Sequence, residues 1–119
     1  MFLRQHFATH LERITTVELD AGVLLAGRDH FGFNAEHDPL IESVCADAFE
    51  FVMNFAAPNH FDMVFIDLNF EEDNVNVSPP LKFFSAEFLN KLVEITADEA
   101  GLIAFNTLID TAANRRKVV

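Results

Sequence analysis

Glycine is scarce in this chain: only Gly22, Gly27, Gly32 and Gly101 occur among 119 residues, and no two are adjacent. A glycine-rich turn, the device by which backbone amides approach a cofactor's anionic end, is therefore missing ahead of Glu18, where one would be expected. Cysteine is scarcer still. Cys45 stands alone, which excludes an internal disulfide, and its place in an apolar run predicts a buried thiol in a reducing compartment. Bases are few, with 8 Lys and Arg against 19 Asp and Glu and a formal charge of −11. Such a balance argues against nucleic acid, whose phosphates require a basic face. No apolar run approaches the roughly 20 residues that span a bilayer, and no signal-peptide pattern opens the chain, so a cytoplasmic protein without membrane contact is expected. Tryptophan and tyrosine are absent.

What is present is apolar and phenylalanine-rich. Half the residues are hydrophobic and 14 are Phe, aromatic area that more often fills a core than builds a stacking platform. The length allows one domain, residues 1–119, with one contiguous core. The single basic run, Arg115-Arg116-Lys117, reads as a solvated tail.

Hydrophobic periodicity alternates between helical and extended. Leu3, Phe7 and Leu11 predict an amphipathic helix over 2–12, and Ile14 to Leu19 a short buried strand. Asp20 caps a helix with Val23, Leu24 and Phe31 on one face, and 33–40 reads as loop. Ile41 to Ala46 is a second strand, followed by a helix from about 48 to 55 that buries Phe51 and Phe55. Asp62 to Leu68 carries the strongest strand pattern. The acidic stretch Asn69 to Pro80 is too polar to pack. Ser85 caps a helix bearing Phe88, Leu89, Leu92 and Ile95, with Glu87 in its positive first turn. Asp98 to Gly101 is a turn, Leu102 to Phe105 a fourth strand, and a further helix begins near Asp110. Strands separated by helices predict an α/β fold with a parallel sheet.

Acids close three of these apolar stretches: Val17-Glu18-Leu19-Asp20, Val44-Cys45-Ala46-Asp47 and Phe65-Ile66-Asp67-Leu68. Side chains at the carboxyl ends of parallel strands project into the ligand crevice. Glu18 can accept hydrogen bonds from the vicinal hydroxyls of a ribose, while Asp20 beside it reads as a helix cap. Asp47 can accept from a purine amine, with Leu19 or Phe49 against the ring, and equally reads as an N-cap for the helix at Ala48. Asp67 can hold an amine or act as a base beside a reacting group. His6 and His10 share a helical face at i and i+4, but no third ligand follows in a zinc pattern, so no metal site is expected.

In order, Val17-Glu18-Leu19-Asp20, Ala46-Asp47-Ala48-Phe49-Glu50-Phe51 and Phe61 to Leu68 resemble the successive motifs of spermidine-synthase-like class I methyltransferases. Phe31-Gly32-Phe33, Ser78-Pro79-Pro80, Phe84 to Leu89 and Gly101 to Asn106 extend the resemblance to the methyltransferase-like 13 group, which methylates a lysine and the N-terminus of translation elongation factor one-alpha. It covers about Phe2 to Asn106. The resemblance implies a Rossmann-like parallel sheet and S-adenosylmethionine as cofactor. Glu18 would bind the ribose, Leu19 flank the adenine, and Asp47 with the Ala48 backbone receive the adenine edge. Asp67 would be the catalytic residue, orienting or deprotonating the attacking amine. The partner implied is a protein substrate, a translation elongation factor being the candidate.

By the same resemblance the domain is incomplete. The family's first strand and glycine-rich loop would precede residue 1, and its carboxyl-terminal strands would follow the last helix. Cofactor binding would then be weak or lost, and enzymatic activity is left open. The first strand of that sheet lies between those ending at Glu18 and Asp67. Without it, the two strands would expose edges, to be satisfied by closing the gap, by a homodimer or by a strand-donating partner. Two other readings stay open. One is a non-catalytic interaction module, and the other a phosphorelay receiver domain with Asp67 as phospho-acceptor, which would call for a lysine where Phe105-Asn106-Thr107 stands.

Overall fold

The structure, a computed structural model, describes residues 6–7, 9–33, 38–69 and 77–109. It is a small mixed α/β arrangement in two compact units, Met1–Phe51 and Val52–Val119. Of the helix expected over 2–12, residues 6–7 are helical but 9–12 are turn and bend, a correction of its end; its other residues and the helix expected from Asp110 lie outside the described residues. Among the described residues, no helix is long and apolar enough to cross a membrane.

In the first unit, β1 (Ile14–Glu18) pairs with β2 (Ile41–Cys45) in parallel, from Ile14 opposite Ile41 to Glu18 opposite Cys45. The β-branched sequence of β1, Ile-Thr-Thr-Val, suits an extended backbone. Parallel neighbours need a crossover, which α1 (Ala21–Phe31) supplies. Asp20 starts α1 as expected, its Oδ1 accepting the Gly22 amide at 2.6 Å. Gly32 ends it in the left-handed region at φ 65°, where a side chain would be strained. Two expectations fail here. No residue of α1 is buried, and Val23 and Phe31, assigned to its inner face, are 54 % and 80 % exposed. Cys45 is exposed rather than buried, because β2 turns only Ile41 fully inward.

Next along the chain, α2 (Ala48–Asn54) buries Val52, while Phe51 and Phe55 are half-buried. The Phe55 ring lies 5.1 Å from that of His60 and 5.0 Å from that of Phe61, a small aromatic cluster at the turn that follows.

The second unit is organised by α3 (Ala86–Ile95). Ser85 Oγ accepts the Phe88 amide at 3.3 Å, and Glu87 sits in the first turn. Phe88, Leu92 and Ile95, spaced four and three residues apart, form one wholly buried stripe, whereas Leu89 lies at its margin. Phe83, in the 3₁₀ turn Leu81–Phe84, is buried edge-on against Phe88 with centroids 4.9 Å apart. At the helix end, Thr96 folds its hydroxyl back to the Leu92 carbonyl at 2.7 Å. The last carbonyls, which lack partners within a helix, are satisfied from outside: Asn59 N–H donates to Glu94, and His60 and Phe61 N–H to Ile95. That clamp fixes where the chain enters β3 (Met63–Ile66).

Parallel pairing joins β3 to β5 (Leu102–Phe105), Met63 opposite Leu102 and Ile66 opposite Phe105. Gly101 precedes that strand in a crowded place, where a Cβ would collide with the Ala97 carbonyl oxygen. Sequence periodicity missed one pair. Within the stretch expected to be too polar to pack, β4 (Val77–Ser78) runs antiparallel to β6 (Leu108–Ile109). Ser78 and Pro79 are buried, and Ser78 Oγ donates to the Leu68 carbonyl. The expectation failed because a two-residue strand with one satisfied hydroxyl leaves no periodic signal. Phenylalanine also divides: Phe83 and Phe88 are core, while Phe7, Phe31 and Phe65 are exposed.

Packing in the second unit sets a measurable contrast within one helix turn. Leu92→Ala removes a fully buried side chain and is expected to cost about 2–5 kcal/mol in urea unfolding. Val93→Ala, at a position 61 % exposed, should change stability by less than about 0.5 kcal/mol.

Candidate functional site

Asp67 follows the last residue of β3, and Asn106 the last residue of β5. Because the strands are parallel neighbours in register, the two side chains emerge side by side, and Asn106 Nδ2 donates to Asp67 Oδ1 at 2.8 Å. The backbone is tied as well, Asn106 N–H donating to the Ile66 carbonyl at 2.9 Å. One residue further on, the Ser78 hydroxyl anchors Leu68. Asp67 is thus held from both sides yet exposed, with Oδ2 unpartnered among the described residues.

Around this pair lies a shallow depression of about 490 Å³, lined by Phe65, Ile66, Asp67, Ala104, Phe105 and Asn106. Its floor is apolar, and its polar groups are one carboxylate and one amide. Phe84 stacks on Phe105 at 5.4 Å and stiffens one wall. An exposed carboxylate oriented by an amide over apolar side chains suits a cationic or hydrogen-bond-donating group on an aliphatic stem. Sequence reasoning had Asp67 but not Asn106. The signal was available: residues that follow equivalent positions of paired parallel strands are neighbours.

Glu18, Leu19, Asp47 and Ala48 belong to the first unit, where Glu18 ends β1 and Asp47 lies two residues beyond β2. Ala46 N–H donates to the Glu18 carbonyl at 3.0 Å, so both turns leave the same end of the sheet. Each acid serves its own backbone. Glu18 Oε1 accepts the Asp20 amide at 2.9 Å, tightening the turn into α1. Asp47 Oδ1 accepts the Phe49 amide at 2.7 Å and the Glu50 amide at 3.4 Å, which makes Asp47 the N-cap of α2. Leu19 is 69 % exposed beside them, and its carbonyl lies 3.7 Å from Cys45 Sγ. Ala48 is the first residue of α2.

Among the described residues, no three His, Cys, Asp or Glu side chains converge as metal ligands. His10 Nδ1 lies 3.1 Å from the Thr9 hydroxyl. Comparison with protein-family models, curated proteins and solved structures finds no match to the chain.

Two acids can be told apart by what the fold asks of them. Asp47→Ala removes a helix cap and should lower stability by about 1 kcal/mol. Asp67→Ala, losing one exposed contact, should change it by less than about 0.5 kcal/mol. Urea midpoints for the two variants provide the check.

Proposed function

We propose that the chain is an incomplete domain of the spermidine-synthase-like class I methyltransferase type, the complete form of which acts on a protein amine, a lysine or an N-terminus. The observation that carries this reading is the pairing of strands. β1 with β2 and β3 with β5 are separate parallel pairs, with Glu18 and Asp67 at the carboxyl ends of their leading strands. That is the pattern to be expected of such a sheet divided at the place of one strand. The Asp67–Asn106 pair above an apolar floor supports an amine as the group received there. With Oδ1 engaged by Asn106, Asp67 Oδ2 is the atom available to orient an incoming amine or to draw its proton.

S-adenosylmethionine, the cofactor such a domain uses to supply a methyl group, fits the residues present only in part. Glu18 has Oε2 unpartnered among the described residues and available to a hydroxyl pair. The methionyl end, however, needs backbone amides brought close by glycine, and residues 1–13 contain none.

The second reading, a non-catalytic interaction module, is favoured by a specific observation. Glu18 and Asp47 both hold local backbone amides, which is what structural caps do. The phosphorelay alternative gains no such support, since β5 is followed by Asn106 rather than a lysine.

Titration with S-adenosylmethionine, followed through backbone amide resonances, discriminates between the first two. The methyltransferase reading expects shifts at Leu19 and Ala48, half-complete at about 1 mM or above, that vanish in Glu18→Ala. Shifts that persist in Glu18→Ala, or none at those residues, leave the interaction module.

A further inference from the structure

The outer side of β3 is unusually open for a strand. Leu102 N–H donates to the Asp62 carbonyl and Asn106 N–H to the Ile66 carbonyl, each at 2.9 Å, so the even-numbered residues of this segment face β5. Backbone groups of alternate residues point to opposite sides of a strand. The N–H and C=O of Met63 and Phe65 therefore face away from β5, and among the described residues no strand pairs with them. The same two residues carry exposed side chains, each 56 % accessible, and Leu102, opposite Met63, adds a third apolar group at 45 %. Exposed edges are usually blunted by a lysine, a proline or a bulge. The sequence of β3, Met-Val-Phe-Ile, holds none.

Acids bracket this edge. Asp62 precedes β3 and Asp67 follows it, and both are exposed. The outer edge of β5 differs, since its outward residues, Ile103 and Phe105, are half-buried, with Phe84 stacked on Phe105.

We propose that the outer edge of β3 is a docking surface for an extended, apolar segment of another protein that carries basic residues at both of its ends. An extended segment is required because only a strand offers donors and acceptors at the spacing set by Met63 and Phe65. The apolar centre matches Met63 and Phe65, and the basic ends match Asp62 and Asp67 in a chain of formal charge −11. A second copy is the poorer occupant. Its own β3 would bring a second pair of flanking acids and no base. This proposal deepens the incomplete-domain reading, in which the strand ending at Asp67 lacks a neighbour, and its test is separate, since peptide binding at Met63 and Phe65 requires no S-adenosylmethionine.

The test uses a labelled synthetic peptide of alternating valine and threonine with lysines at both ends, alongside the same peptide with glutamates there and a third with a central proline. The lysine-ended peptide is expected to bind with Kd near 100 µM, an order-of-magnitude figure for a short edge pairing, and to shift and protect the Met63 and Phe65 amides. The glutamate-ended and proline-containing peptides should bind at least about tenfold more weakly, and Asp62→Asn should weaken the lysine-ended one severalfold. Phe65→Lys should abolish binding, and Met63→Lys provides the same test should that variant fail to fold. The proposal is overturned if the Met63 and Phe65 amides do not respond up to about 1 mM peptide, or if the glutamate-ended peptide binds equally well. Protection of both amides before any peptide is added also overturns it. In that case, sedimentation distinguishes a second copy from a segment of the same chain as the occupant.

Discussion

Parallel pairing is the constraint on which the rest depends. Two strands that run the same way cannot be joined by a tight turn, so each pair is linked through a longer excursion, and their carboxyl ends emerge side by side. That single geometric fact sets Asn106 beside Asp67 at 2.8 Å, although 39 positions separate them in the chain. Among the described residues, each parallel pair also keeps an unpaired edge on either side, so the arrangement that makes a polar site makes a vulnerable backbone as well.

Within the second unit, hydrogen-bond satisfaction and burial act on the same few residues. The stripe Phe88, Leu92 and Ile95 provides the apolar interior, and the carbonyls at the end of α3 take the amides of Asn59, His60 and Phe61. Those amides belong to the segment that leads into β3. The helix end thereby sets the entry of the strand that carries Asp67, while Gly101, with no room for a Cβ, lets the chain turn tightly into the neighbouring strand. A carboxylate at the surface is held by an interior some distance away.

The first unit shows the opposite economy. Its acids work locally, Asp20 and Asp47 as caps and Glu18 as a brace for the turn into α1. Its helix α1 buries nothing, β1 is half-buried, and β2 is mostly exposed. Residues that read as an inner face, Val23 and Phe31, stand exposed, because a hydrophobic period marks a face without saying that anything covers it.

Element type and position were legible in the sequence for β1, β2, β3, β5 and the three helices, though not for β4 and β6. The parallel-strand stretches, the caps at Asp20 and Ser85, the buried positions of α3 and the turn before Leu102 follow from local chemistry: β-branched runs, side-chain oxygens ahead of apolar periods, and glycine where a Cβ does not fit. Asp67 was legible too, as an acid closing a strong strand. Only tertiary structure decided which strand lies beside which, and hence that Asn106 holds Asp67, that Ser78 is buried under Leu68, and that Cys45 and Phe65 face outward. Pairing partners and burial are relations between distant segments, fixed by backbone hydrogen bonding and packing, and a local pattern of residue types carries no record of them.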